Sequence, residues 1–180
     1  MLMSDPIESI SPEQVRAIDQ FAQSAEAFCA LLEQADSDIS AAEFTKRCAS
    51  ALLTLYRDAL ALPAANDLPD FEEPVGEKPN PPKSIHDQVY NRFASRGLDR
   101  YSEYFDPFDA DSSVTFSVSM DLVETYVDVY RGLSLYRQGG RQNILQAAWK
   151  WQFNFMHHWG PNHSGLLPVL FKIISRDENN

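Results

Sequence analysis

Residues 145–160 read LQAAWKWQFNFMHHWG, and the class of the fold turns on how they are wound. As a strand, Trp149, Trp151, Phe153 and Phe155 would share one face, with Lys150, Gln152 and Asn154 on the other, because side chains alternate along a strand. No other segment offers itself as a partner, and an isolated strand is not stable in water. As a helix, at about 100° per residue, Leu145, Trp149, Phe153 and Met156 fall together. Ala148, Phe155 and Trp159 extend that arc, with Trp151 at its edge, while Gln146, Lys150, Asn154 and His157 lie opposite. The approach NILQAA also favours helix. A helix is therefore expected, with an apolar arc wide enough to need several neighbours. Gln152 falls inside the arc and needs a partner such as a ring N–H, a phenol or a loop carbonyl. Gly160-Pro161 is expected to stop the helix sharply. The rings read as core rather than as a cofactor box or a base-stacking platform, because the basic residues lie opposite them.

The rest of the chain is organised around similar faces. Ser11-Pro12-Glu13-Gln14 and Ser40-Ala41-Ala42-Glu43 both have the form of a capping box. The first precedes Val15, Ile18, Ala22, Ala25, Cys29 and Leu32 at helical spacing. The second precedes Phe44, Cys48, Ala51, Leu55, Ala59 and Leu62. Residues 11–62 thus read as an antiparallel helical hairpin. Residues 63–83 hold six of the eleven prolines and five acids, which excludes regular helix or inner strand and predicts an extended or mobile acidic loop. Ser84 opens a third, shorter helix through Ile85, Val89 and Phe93, with Gly97 as its stop. Asp109, Asp111 and Ser113 mimic the first ligands of a calcium loop, but Val114 and Met120 stand where glycine and the bidentate glutamate belong, so calcium is rejected. Val114, Phe116 and Val118 alternate and predict one short extended segment. A fourth helix begins at Ser119 or Asp121, carries Leu122, Tyr126, Val129, Leu133 and Tyr136, and ends at Gly139-Gly140. A last helix covers 164–175, with Pro168 tolerated in its first turn. The sum is an all-α fold: one domain over residues 1–180, a bundle of about six helices with a long Pro-rich acidic loop.

Length and composition narrow the class further. A chain of 180 residues suits one domain with a real core. It has no apolar run near membrane-spanning length and no basic-then-apolar leader, which points to the cytoplasm. Cys29 and Cys48 lack metal-binding spacing and fall on apolar helix faces, so they are expected as reduced core thiols. The net charge of −11 argues against general binding to nucleic acid or anionic membranes. That charge is uneven: no Asp or Glu occurs from Tyr130 to Arg176, whereas residues 1–129 hold 24 acids against 9 bases. The simplest arrangement packs the basic helices beside the acidic ones, each neutralising the other.

The blocks DLVETYVDVYRGLSLYRQGG and WKWQFNFMHHWGPNH together resemble a bacterial family of domains of unknown function. The shared pattern falls on Asp121, Leu122, Tyr126, Asp128, Gly132, Leu133, Leu135, Tyr136 and Gly139, then on Trp151, Phe153, Phe155, His158, Trp159, Gly160 and His163. YSEYFDP at 101–107 is similar to the family's approach to this helix. The resemblance covers residues 84–175 and, more weakly, the first two helices. Pro161-Asn162 departs from the pattern by setting His163 one residue further from Gly160. The resemblance implies an all-helical fold and brings no established activity. YRQGGRQNILQA also loosely resembles a tetratricopeptide hairpin, without the repeat that would support it.

Three functions are compatible with these features. The foremost is an interaction or adaptor module for a protein partner, through a surface of Arg131, Lys150, Asn154 and His157. A homodimer also stays open. The second is a ligand or metal site, or a weak enzyme, around His158, Trp159 and His163, with Asp128 completing a shell. Against it, His158 can simply cap a helix end, where its positive charge suits the dipole. The third is nucleic-acid association through the basic face of 130–176, which the overall acidity opposes. No nucleophile motif, HExxH or phosphate loop is present, so no catalytic residue and no cofactor is assigned and the balance leans away from an enzyme.

Overall fold

A computed structural model describes residues 10–35, 38–72, 80–104 and 113–178. Within them the protein is an all-α bundle with one small two-stranded ribbon. Helices α1 (Pro12–Glu33) and α2 (Ala41–Leu60) form the expected hairpin. α3 spans Ile85–Ala94, α4 Val118–Gln138, α5 Arg141–Asn154 and α7 Leu166–Glu178, with a single turn, α6, at Gly160–Asn162. α4 is the central element: it packs against α1, α3 and α5, while α2 backs onto α1 and α7. No helix among the described residues is long and apolar enough to cross a membrane.

Local chemistry accounts for the ends. Ser11 and Gln14 bond reciprocally across the first turn of α1, and Ser40 Oγ accepts the Glu43 N–H at 3.1 Å. α4 begins one residue before the expected start. Its cap is Ser117, whose Oγ accepts the Met120 N–H and donates to Asp99. Gly139 and Gly140 close α4 with positive φ, as their residue type suggests.

The core has a wider face than the spacing indicated. Phe21 and Phe28 are fully buried beside Ile18, Ala25 and Leu32, whereas Val15 is turned to solvent. Cys29 and Cys48 are buried free thiols, and burial raises both above the ordinary thiol range. The basic and acidic parts do meet: Arg137 on α4 pairs with Glu26 on α1 at 2.6 Å.

Three expectations are corrected. The extended segment has a partner after all. β1 (Arg100–Tyr104) pairs antiparallel with β2 (Ser113–Ser117), with Tyr101 opposite Phe116. RYSEY carries too little apolar alternation to read as a strand, and the ribbon is held by its attachment to α4 through Asp99. Within the loop, a short 3-10 turn at Ala65–Asp67 and Phe71 lie against α5. The calcium-like Asp109 and Asp111 lie outside the described residues.

The stretch from 145 is helical, but its buried face is rotated from the expected one. Trp151 is the core ring, 1% exposed, while Phe153 and Met156 are exposed and Trp149 is half-buried. The cause lies on α4: a Cβ at Gly132 would come within 2.2 Å of Trp151 Nε1, so glycine there opens the slot that takes the indole. The Trp151 N–H then donates to the Val129 carbonyl at 3.0 Å.

The helix is also not stopped sharply at Gly160-Pro161. A π turn at Phe155–Trp159 widens the backbone, with Gly160 N–H bonded to Phe155 O, and helical geometry continues to Asn162. The wider turn accommodates a proline with no N–H to give. It also brings Phe155 O within 2.2 Å of where a Cβ on Gly160 would sit, so only glycine fits. Tyr56 of α2 donates its hydroxyl toward the Gly160 carbonyl at 2.9 Å and the Trp159 carbonyl at 3.2 Å, covering acceptors the turn leaves open. Burial, then the charge of Asp121, pushes the Tyr56 hydroxyl up to about 12.

Candidate functional site

The π turn has a chemical consequence. It presents His158 and, four residues past Trp159, His163 toward one side of α4, with ring centroids 5.7 Å apart. That side of α4 is polar: Asp121, Glu124, Thr125 and Asp128 recur at helical spacing within an otherwise apolar helix. Asp128, itself buried, holds His158 Nδ1 at 2.6 Å. The carboxylate fixes the orientation of the His158 ring, whose side chain is 44% exposed. His158 therefore does not cap a helix end as expected, because the helix does not end there.

His163 is buried. Thr125 Oγ1 lies 2.9 Å from Nδ1 and Glu124 Oε2 lies 3.3 Å from Nε2. Burial holds its imidazole below the ordinary range; the Glu124 carboxylate opposes this and the neighbouring His158 reinforces it.

His163 and Glu124 stand on the wall of a cavity of about 970 Å³ between the β-ribbon, α3, the start of α4 and the 161–164 turn. Asp99, Asp121 and Glu124 line it against one guanidinium, Arg100, and Tyr90, Phe116 and Met120 add apolar surface. All three carboxylates have partners, Glu124 in His163 at 3.3 Å. Asp99 accepts from Ser117 Oγ at 2.8 Å and from the Ser119 N–H at 2.9 Å, and Asp121 accepts from the Tyr101 hydroxyl. Glu124 is the one with substantial exposure, 47% of its side chain.

The expected site residues thus separate. Asp128, His158 and His163 come together. Trp159 is core, edge-on to Tyr56. Lys150, Asn154 and His157 share the outer side of α5 and its extension, where His157 packs on Phe153. Arg131 stands on α4, half-buried, with no described hydrogen bond or ion pair joining it to them. Among the described residues, no group of three His, Cys, Asp or Glu side chains is placed to hold a metal ion. Glu124 and Thr125 were missed, although the recurrence of polar residues at 121, 124, 125 and 128 was the available signal. Asp99 had none, since its role depends on the fold bringing it to a distant helix start.

A family model described as a domain of unknown function, DUF5063, matches residues 13–175. The chain belongs to this family. The α4 and α5 motif blocks, with the histidine pair, lie within the DUF5063 match. The crystal structure of protein BF1032 from Bacteroides fragilis is similar in fold, with a TM-score of 0.66 over 88% of this chain and 92% of that one. At 22% identity the likeness bears on the fold alone. None of the curated proteins matches this DUF5063 member.

Proposed function

We propose that this DUF5063 domain binds a small organic cation, an amine or guanidinium compound, in the cavity beside His163. The observation that carries this reading is the placement of buried His163, braced by Thr125 and Glu124, on the wall of a large cavity whose charged lining is mostly carboxylate. A polar imidazole and an exposed carboxylate at the edge of apolar surface give a ligand both orientation and attraction. Glu124 is the contact a cation would use first. His158, held by Asp128, stands next to His163 at the edge of the site. A protein-interaction role finds its support elsewhere, in the exposed Phe153, Met156 and His157 along α5.

The test is thermal melting at low salt against a panel of amines, guanidinium compounds, neutral isosteres and carboxylates. A ligand that binds only the folded state raises the midpoint with its concentration. Cations are expected to do so, and Glu124→Gln to abolish the gain while leaving the unliganded midpoint nearly unchanged. A panel with no cation response contradicts the reading.

A further inference from the structure

The charged groups on the cavity wall differ in how open they are to a ligand. Asp99 and Asp121 are buried, 7% and 4% exposed. Asp99 accepts from Ser117 and from the Ser119 N–H, and Asp121 accepts from Tyr101. His86 stacks on Tyr90 and faces Asp87. Glu124 and Arg100 are different. Glu124 is bonded to His163 yet keeps 47% of its side chain exposed. Arg100 is exposed, and no ion pair holds it among the described residues. The cavity thus offers one accessible anion and one accessible guanidinium.

Local structure sets these two apart. Arg100 opens β1 and pairs with Ser117, the residue that caps α4. Glu124 lies seven residues beyond Ser117 along that regular helix, about 10 Å at the helical rise. Met120 falls between them, one turn before Glu124 on the same side of α4, and it is 44% exposed. Phe116 from β2 and Tyr90 from α3 line the same cavity. Along α4 the wall therefore runs from guanidinium through apolar surface to carboxylate.

We infer that the occupant carries a carboxylate as well as its cationic group, the two held apart by an apolar spacer: an amino acid whose ammonium and carboxylate are several carbons apart. This ligand presupposes the cation reading, because Glu124 takes the ammonium in both. Arg100 takes the carboxylate, to which a guanidinium presents two parallel N–H donors. The spacer lies on Met120, Phe116 and Tyr90, where each methylene removed from water adds affinity. Glycine, with its charges adjacent, is too short to meet both ends. A polyamine sets a second cation against Arg100, and a dicarboxylate sets an anion against Glu124. The two side chains thus select by repulsion as well as by attraction. A cavity of about 970 Å³ also admits bulk on the spacer.

The test is isothermal titration calorimetry of the intact chain at low salt with ε-aminocaproate, glycine, hexylamine and hexanoate. ε-Aminocaproate is expected to bind about ten-fold tighter than hexylamine, the gain from one charge-assisted contact. Glycine and hexanoate should bind more weakly than either. In Arg100→Gln, ε-aminocaproate and hexylamine should bind alike. Arg100→Lys, which keeps the charge and loses the paired donors, should retain part of the difference. In Glu124→Gln neither amine should bind. Both positions are exposed, and unchanged helical circular dichroism checks the fold of each variant. If hexylamine binds through Glu124 but ε-aminocaproate binds no tighter, or keeps its advantage in Arg100→Gln, the carboxylate contact is refuted and the cation reading stands. If no amine binds the unaltered chain, both are overturned.

Discussion

The α1–α2 hairpin and the α4–α5 pair are each built from two consecutive helices, yet they bury different things. Between Phe21 and Leu55 the hairpin seals rings, methyls and two inert thiols, and its buried carboxylate, Asp58, is bonded to Ser24 and Arg57 at the hairpin's own surface. α4 encloses Ser119, Asp121, Thr125 and Asp128 and faces buried His163. A hairpin of this kind needs only stability. Polar groups inside a helix pair are costly unless each is satisfied; here Thr125 and Asp128 are satisfied by the histidine-bearing turn, and Ser119 and Asp121 by Asp99, Ser117 and Tyr101. The first region encloses mostly apolar side chains; the second keeps several buried polar groups beside a cavity.

Four changes probe this contrast, from large effects to small. Phe28→Ala in the hairpin and Trp151→Ala in the second pair each remove a fully buried ring and should each cost about 3–5 kcal/mol by denaturant melts. The contrast predicts that only Trp151→Ala also disturbs the histidine signals in NMR spectra, since its indole anchors the helix that leads to the π turn. Asp128→Ala leaves His158 without its orienting carboxylate and should cost about 1–3 kcal/mol. His158→Ala, on the exposed side of the same bond, should lower stability by less. Equal losses would show that the pair does not act through the buried carboxylate.

The pH dependence separates the regions without a large loss. His163 is held below its ordinary value of 6.5 by burial, so the unfolded chain binds the proton more readily. Stability from this group is therefore full above that value and is lost as pH falls below it. Melting midpoints should decline on acidification through this range, and His163→Gln should flatten the decline. A slope that survives the substitution would place the acid sensitivity elsewhere. At the other extreme, Arg47→Ala removes an exposed pair with Glu43 on α2 and should change stability by no more than about 0.5 kcal/mol.

The scaffold was legible because its signals are local. Caps at Ser11 and Ser40 and apolar residues at helical spacing need no knowledge of the rest of the chain. The second region was legible in part. Helix could be read over 145–160, but not its rotation, because the slot at Gly132 that admits Trp151 is set by a facing helix. Phe153 and Met156 were placed inside by the same spacing argument, which cannot tell two apolar arcs of one helix apart. The π turn escaped because a Gly-Pro pair usually ends a helix, and here a hydroxyl from Tyr56 and a wider turn allow it to continue. That one local irregularity is what turns His158 and His163 toward α4, so the histidines could be named from sequence while Glu124 and Thr125, their neighbours, could not.

The most direct measurement is an NMR titration of the isotopically labelled protein with the best cation from the melting panel. Amide shifts confined to the cavity wall at residues 86–90, 99–100, 115–124 and 161–164, together with movement of the His163 ring signals and their loss in Glu124→Gln, are the predicted result. Shifts centred on the outer face of α5, or a His163 ring that does not respond to a bound cation, would contradict it.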